Sequence, residues 1–158
     1  MEQEFIMADQ LKATAADADL VLRLYDLRRE AEMRKARKWF TGEFWPKSFE
    51  DVQKVMTDFG AQNNAWLRQV CSYWEMAAAL VNHGTLNPNL FYDTCGEAWF
   101  VFTRMKPFLH DIRAVAPEFM RHLERVTEGT PEGRERVARM QQNFAHWEEM
   151  RKKQASAK

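Results

Sequence analysis

Glycine and proline are scarce, at six and five in 158 residues. A sandwich or barrel needs a tight turn every few residues, so this scarcity points away from β architectures and toward long helices. Cysteine is scarcer still. Cys71 and Cys95 stand alone with no CxxC pair, which removes a disulfide scaffold and a cysteine zinc site. Both fall inside apolar helical patterns and read as reduced thiols packed as small hydrophobes. Net charge is absent, with 23 basic and 23 acidic residues. A nucleic-acid partner calls for a basic excess and is not expected. Near-zero charge also removes the repulsion that keeps copies apart. There is no apolar run long enough to span a bilayer. The stretch Met1 to Asp19 carries acids and has neither a secretory signal nor a spanning segment, so a cytoplasmic location is expected.

What the chain does have is apolar and aromatic weight. Hydrophobic residues make up 46% and aromatic residues 13%, six of them tryptophan, which is ample for one packed core. Residues 1–16 read as a lead-in, 17–127 as the helical core, and 130–155 as a C-terminal helix that packs on the core or on a partner. A first helix is expected from Asp17, as cap, to Phe40, with Leu20, Leu24, Leu27 and Ala31 inward. Ser48, with Asp51 three residues on, opens a second helix with Val52, Val55, Met56 and Phe59 on its apolar side. A third, from Ala61 to His83, carries two adjacent stripes, one of them Leu67, Val70, Cys71, Trp74, Ala78 and Val81, and is expected to be central. Its polar strip is Arg68, Ser72, Glu75 and Asn82, with Glu75 expected to pair with a basic side chain. Gly84 suits a left-handed terminus. Asn87-Pro88 opens a helix whose stripe runs Phe91, Cys95, Ala98, Phe102, Met105, Leu109 and Ile112. That spacing predicts one continuous helix, kinked near Pro107 and weak at Gly96. Pro117 begins a shorter helix, and Thr130-Pro131 a long final one. The class is all-α, a bundle of about five to six helices with a long C-terminal helix.

Chemistry-bearing motifs are missing. No phosphate loop, dinucleotide fingerprint or nucleophile elbow occurs, and no HExxH. Glu118 and His122 stand four apart, a spacing that can place two metal ligands but far more commonly makes a surface pair. No catalytic residue, metal or cofactor is assigned, and the balance leans away from an enzyme.

Two groups of residues remain as binding candidates. The final helix has a narrow seam, Val137, Met140, Phe144 and Trp147, which touches one neighbour, either in this chain or in a second copy. Near Arg34, Lys35, Arg37 and Lys38 lie Trp39, Phe40, Phe44 and Trp45. Basic residues beside paired rings fit a membrane surface, whereas plugging a helix junction is the plainer use, because Glu30 and Glu32 dilute the charge and Gly42 interrupts the face. Both groups are interface candidates for a homo-oligomer or protein partner. Ten aromatics between Trp66 and Phe119 could instead line an apolar pocket, with Tyr73, Glu75 and Tyr92 as polar handles.

The segments Leu24-Tyr25-Asp26-Leu27-Arg28, Ala36-Arg37-Lys38-Trp39, Tyr73-Trp74-Glu75, Val81-Asn82-His83-Gly84 and Leu90-Phe91-Tyr92-Asp93 resemble an uncharacterised bacterial domain-of-unknown-function family of small all-helical proteins. The similarity covers residues 18–125. It implies a helical fold and brings no catalytic residues. Some relatives carry an N-terminal membrane helix, from which the stretch Met1 to Asp19 is expected to depart. The function expected is thus a non-catalytic, self-associating interaction or scaffold module. The alternatives are a small-molecule-binding bundle and a peripheral membrane module.

Overall fold

The computed structural model describes residues 12–157, and they form helices with no strand among them. The segments are α1 (Ala15–Arg29), α2 (Ala31–Gly42), α3 (Phe49–Thr57), α4 (Gln62–Asn82), α5 (Pro88–Thr94), α6 (Glu97–Met105), a 3-10 turn (Lys106–Phe108), α7 (Leu109–Val115), α8 (Arg121–Glu128) and α9 (Pro131–Ser156). These are more and shorter segments than the five to six expected. Most of the expected lead-in, 1–11, lies outside the described residues.

Local signals set many of the ends. Ser48 and Asp51 close a capping box at α3, Asn87 accepts from the Leu90 N–H ahead of Pro88, and Thr130 accepts from Gly133 ahead of Pro131. Gly84 turns the chain after α4 with φ +73°, a conformation open to glycine without Cβ strain. At α1 the cap is Thr14, with Asp17 three residues in as the reciprocal partner, where Asp17 itself was expected as the cap.

Two expected continuous helices are broken. The first parts at Glu30, whose ψ of 144° leaves the helix while its carboxylate caps the Met33 N–H at 3.0 Å. The break turns Met33, Ala36, Trp39 and Phe40 inward, and leaves Leu27 53% exposed, outside the core it was expected to join. The second parts at Cys95 and again in the 3-10 turn before α7. Its stripe nevertheless stays inside: Phe91, Cys95, Ala98, Phe102, Met105, Leu109 and Ile112 are all buried. Phe59, expected on the inner side of α3, lies past its end and is 80% exposed. The helix expected from Pro117 begins at Arg121 instead, after Met120 takes a left-handed φ of 56°.

α4 is central, packed by α2, α3, α6 and α8, with α1 leaning on α2 and α5. Trp74 is fully buried at its middle, edge-on to Tyr73 (4.9 Å) and Phe91 (6.3 Å). Burying such a ring contributes about 2–3 kcal/mol by area alone. Its Nε1–H donates to Glu97 at 3.2 Å, and the same carboxylate takes a forked pair from Arg37, with Nε at 2.9 Å and Nη2 at 2.6 Å. The polar strip of α4 serves as the dock for α8. Glu75 accepts from the His122 and Leu123 N–H groups at 2.8 and 2.9 Å, and Asn82 donates to the His122 carbonyl at 3.0 Å. The partner of Glu75 is therefore a helix N-terminus, where a carboxylate meets unpaired N–H groups and the positive end of the dipole, rather than the basic side chain expected.

Candidate functional site

The three expected polar handles do not meet. Tyr73 and Glu75 are two residues apart on α4, about 200° around the helix, and point to different sides. Tyr73 donates its hydroxyl to the Leu24 carbonyl at 2.5 Å, and burial pushes that hydroxyl above its ordinary value. Glu75 is committed to α8. Each lines an opening of its own: Glu75 one of about 420 Å³, Tyr73 one of about 490 Å³, and Tyr92 one with an aromatic wall.

That opening is a cleft of about 500 Å³ between the end of α4, α5, α8 and the start of α9. Its wall is aromatic. Tyr92 and Trp99 meet edge-to-face at 5.2 Å, and Val81 and Val126 extend the apolar surface. Asn82, Asn89, Arg125, Thr130 and Glu132 supply the polar rim. Behind the wall lies Arg136, its guanidinium 4.6 Å from both ring centroids and donating to the Tyr92 carbonyl at 2.6 Å. Gly96 makes room for it: a Cβ there would sit 3.0 Å from Arg136 Nη2.

The interface candidates have a different fate. Trp39, Phe40 and Phe44 are buried within their own chain, with Trp39 stacked on Phe44 at 4.8 Å. These three rings are core residues, in keeping with the plainer expectation of a plugged helix junction rather than the membrane-surface alternative. The α9 seam also closes in cis. Val137 is buried, Met140 is half-buried, and Phe144 meets Trp45 at 5.7 Å and Phe100 at 4.9 Å. Trp147 lies over Phe100 at 6.3 Å and remains 37% exposed.

Under this closure sits Arg104, 4% exposed. It is surrounded by Trp45 (3.6 Å to the ring centroid), Phe100 (4.7 Å), Phe144 (4.8 Å) and Phe40 (5.9 Å). Its Nη1 donates to the carbonyls of Phe40 and Phe44, at and just beyond the C-terminal end of α2. Among the described residues no carboxylate pairs with it, and burial draws the guanidinium down to about 9, still charged at neutral pH. A lone cation inside the apolar run of α6 was the one sequence signal for this cage. Arg136 and Glu97 gave none, because their partners are scattered along the chain.

Among the described residues no group of three or more His, Cys, Asp or Glu could hold a metal, and Glu118 and His122 are separated by the turn at Met120. Cys71 and Cys95 are free and buried, and burial pushes the Cys71 thiol well up, so neither is a ready nucleophile. No described helix is long and apolar enough to cross a membrane.

The resemblance segments converge in space: Arg28 stacks over Trp74 at 5.3 Å, Arg37 donates to the Arg28 carbonyl at 3.2 Å, and Tyr73 reaches Leu24. The family described as a domain of unknown function, DUF4760, matches residues 13–130. The chain belongs to this family. The matched region takes in α1 to α8 and ends where α9 begins, so the DUF4760 domain contributes most of the cleft wall and α9 completes its rim. No curated protein and no solved structure matches the chain.

Proposed function

We propose that this protein is a non-catalytic binding module whose ligand is a small molecule held in the Tyr92–Trp99 cleft. The observation that supports it is the cleft itself. Its size falls in the range of small-molecule sites, and it sets an apolar, aromatic wall against a few polar groups, the usual division of labour in such pockets. Among the described residues of its lining no nucleophile and base are paired, which favours binding over turnover. Two buried free thiols accord with a reducing, cytoplasmic setting.

The test is native mass spectrometry of the purified protein beside an Asn89→Trp variant, which fills the mouth from an exposed position on α5. A small-molecule adduct on the wild type that the variant loses supports the reading. An adduct retained by the variant places the ligand elsewhere.

A second reading, docking of a protein, has its own support. Leu27 and Met76 are both exposed and flank a groove of about 490 Å³ over Met33 and Tyr73. Self-association through the α9 seam loses its motive, because that seam is engaged with Trp45 and Phe100 of the same chain. Sedimentation velocity at tens of micromolar should accordingly find a monomer.

A further inference from the structure

The two halves of α9 are held differently. The first half buries Gly133 and Val137. Beyond Met140 no described residue is buried. There the helix rests on Phe144, Trp147 and Arg151, whose i, i+3 and i+7 spacing puts them on one face. Arg151 lies over the Trp45 ring at 4.7 Å, and its bond to the Gly42 carbonyl is long, at 3.5 Å. An opening of about 390 Å³ separates this end of α9 from the loop after α2.

What the distal half covers does not match it. Arg104 touches it directly, with its guanidinium carbon 4.8 Å from the Phe144 ring centroid. Nη1 of Arg104 is spent on α2, but Nε and Nη2 are buried without a hydrogen-bond partner. The charged group that α9 brings to the same Trp45 ring is a second cation. Arg151 adds to burial in drawing the Arg104 guanidinium down. Glu43 and Glu148 line the opening, yet among the described residues neither pairs with Arg104 or Arg151. The covered surface also lies within the matched family region, 13–130, and its cover lies outside it.

We propose that the distal half of α9 is a displaceable strap, and that the surface beneath it, Trp45, Phe100 and Arg104, docks an amphipathic helix of a partner protein. That helix carries rings where α9 has Phe144 and Trp147, and a carboxylate where α9 has Arg151. A strap on the same chain competes at an effective concentration of order millimolar. The partner overcomes it through the ion pair with Arg104 that α9 does not make.

The first test keeps the strap in place. In the full chain, Arg151→Glu should slow amide exchange after Phe144 about tenfold, as one charge-assisted bond implies, and Arg151→Gln should slow it less. Exchange as fast as in wild type, or a gain that vanishes when exposed Lys47 is also changed to Gln, overturns the pairing with Arg104. The second test uses a fluorescein-labelled peptide of residues 137–156 bearing Arg151→Glu, followed by anisotropy with full-length protein. It should bind wild type about tenfold more tightly than the unaltered peptide. It should lose that binding to the Arg151→Glu chain, whose own strap is then locked. Equal binding of the two peptides, no binding of the acidic one, or binding that the Arg151→Glu chain retains would each overturn the docking claim.

Discussion

Arg104 and Arg136 are two arginines stacked on aromatic rings with opposite surroundings. Arg104 is enclosed: Phe40, Trp45, Phe100 and Phe144 surround it, and the distal half of α9 closes over the top. Arg136 is half-buried, has Tyr92 and Trp99 on one side, and stands behind a wall that opens to a cleft. Both donate to backbone carbonyls, and neither has an ion pair among the described residues. The same chemistry thus serves two ends. In the cage the cation fastens the C-terminal end of α2 and is sealed in by rings, so its value is structural. Beside the cleft it adds positive field to a surface where a ligand can still arrive.

The largest test of this contrast removes a ring from each cluster. Phe40→Ala should cost about 3–5 kcal/mol in urea unfolding, because a fully buried ring leaves a cavity. Tyr92→Ala, at a half-buried position on the open side, should cost no more than about 2 kcal/mol. Equal losses would mean that the two clusters are equally structural. Next come the cations. Arg104→Lys gives up the planar fork that stacks and donates together, and should cost about 1–3 kcal/mol. Arg136→Lys, with solvent near, should cost about 1 kcal/mol or less. Smaller again is Arg125→Gln, which should leave stability within about 0.5 kcal/mol, because this side chain is exposed and makes no ion pair among the described residues.

The smallest effect is an acid-side one, at the tie between α1 and the cleft's α5 wall. Asp17 accepts from the Thr14 hydroxyl, the Thr14 N–H and the Asn87 N–H, each at 2.7 Å, and these bonds hold its carboxyl below the ordinary 3.8. A lowered native value means that the contribution is present above the unfolded value and lost as pH falls through the native one. Wild type should therefore lose amide protection at Asn87 as pH drops below 3.8. Asp17→Asn should show that loss already at neutral pH, with a shallower acid limb, by hydrogen exchange.

The sequence was most legible where structure is decided within a few residues. The caps at Ser48, Asn87 and Thr130, the turn at Gly84 and the buried stripe of α4 are local matters of hydrogen bonding and periodicity, and all were readable. The break at Glu30 was not, because glutamate is a good helix former and no glycine or proline marks the spot. What parts the helix there is the need to turn Trp39 and Phe40 toward α4, a tertiary demand. The break at Cys95 was hidden for another reason: the inward spacing continues across it as if the helix did. Of the site, Tyr92 and Trp99 were visible as aromatics, but which of them faced open space was not. Arg125 and Arg136 come to that spot only because α8 and α9 fold back over α5 and α6.

The bond between Glu75 and the start of α8 also bears on the order of assembly. α8 has eight residues, fewer than a helix needs to persist alone in water. Its first turn is completed by a carboxylate 47 residues earlier in the chain. α8 is therefore a conditional helix, unable to form until α4 is in place to receive it. Since α9 rests on α8 and α6, the cleft and the cage lid are expected to open before the α4 core, which faster amide exchange in α8 and α9 than in α4 would show.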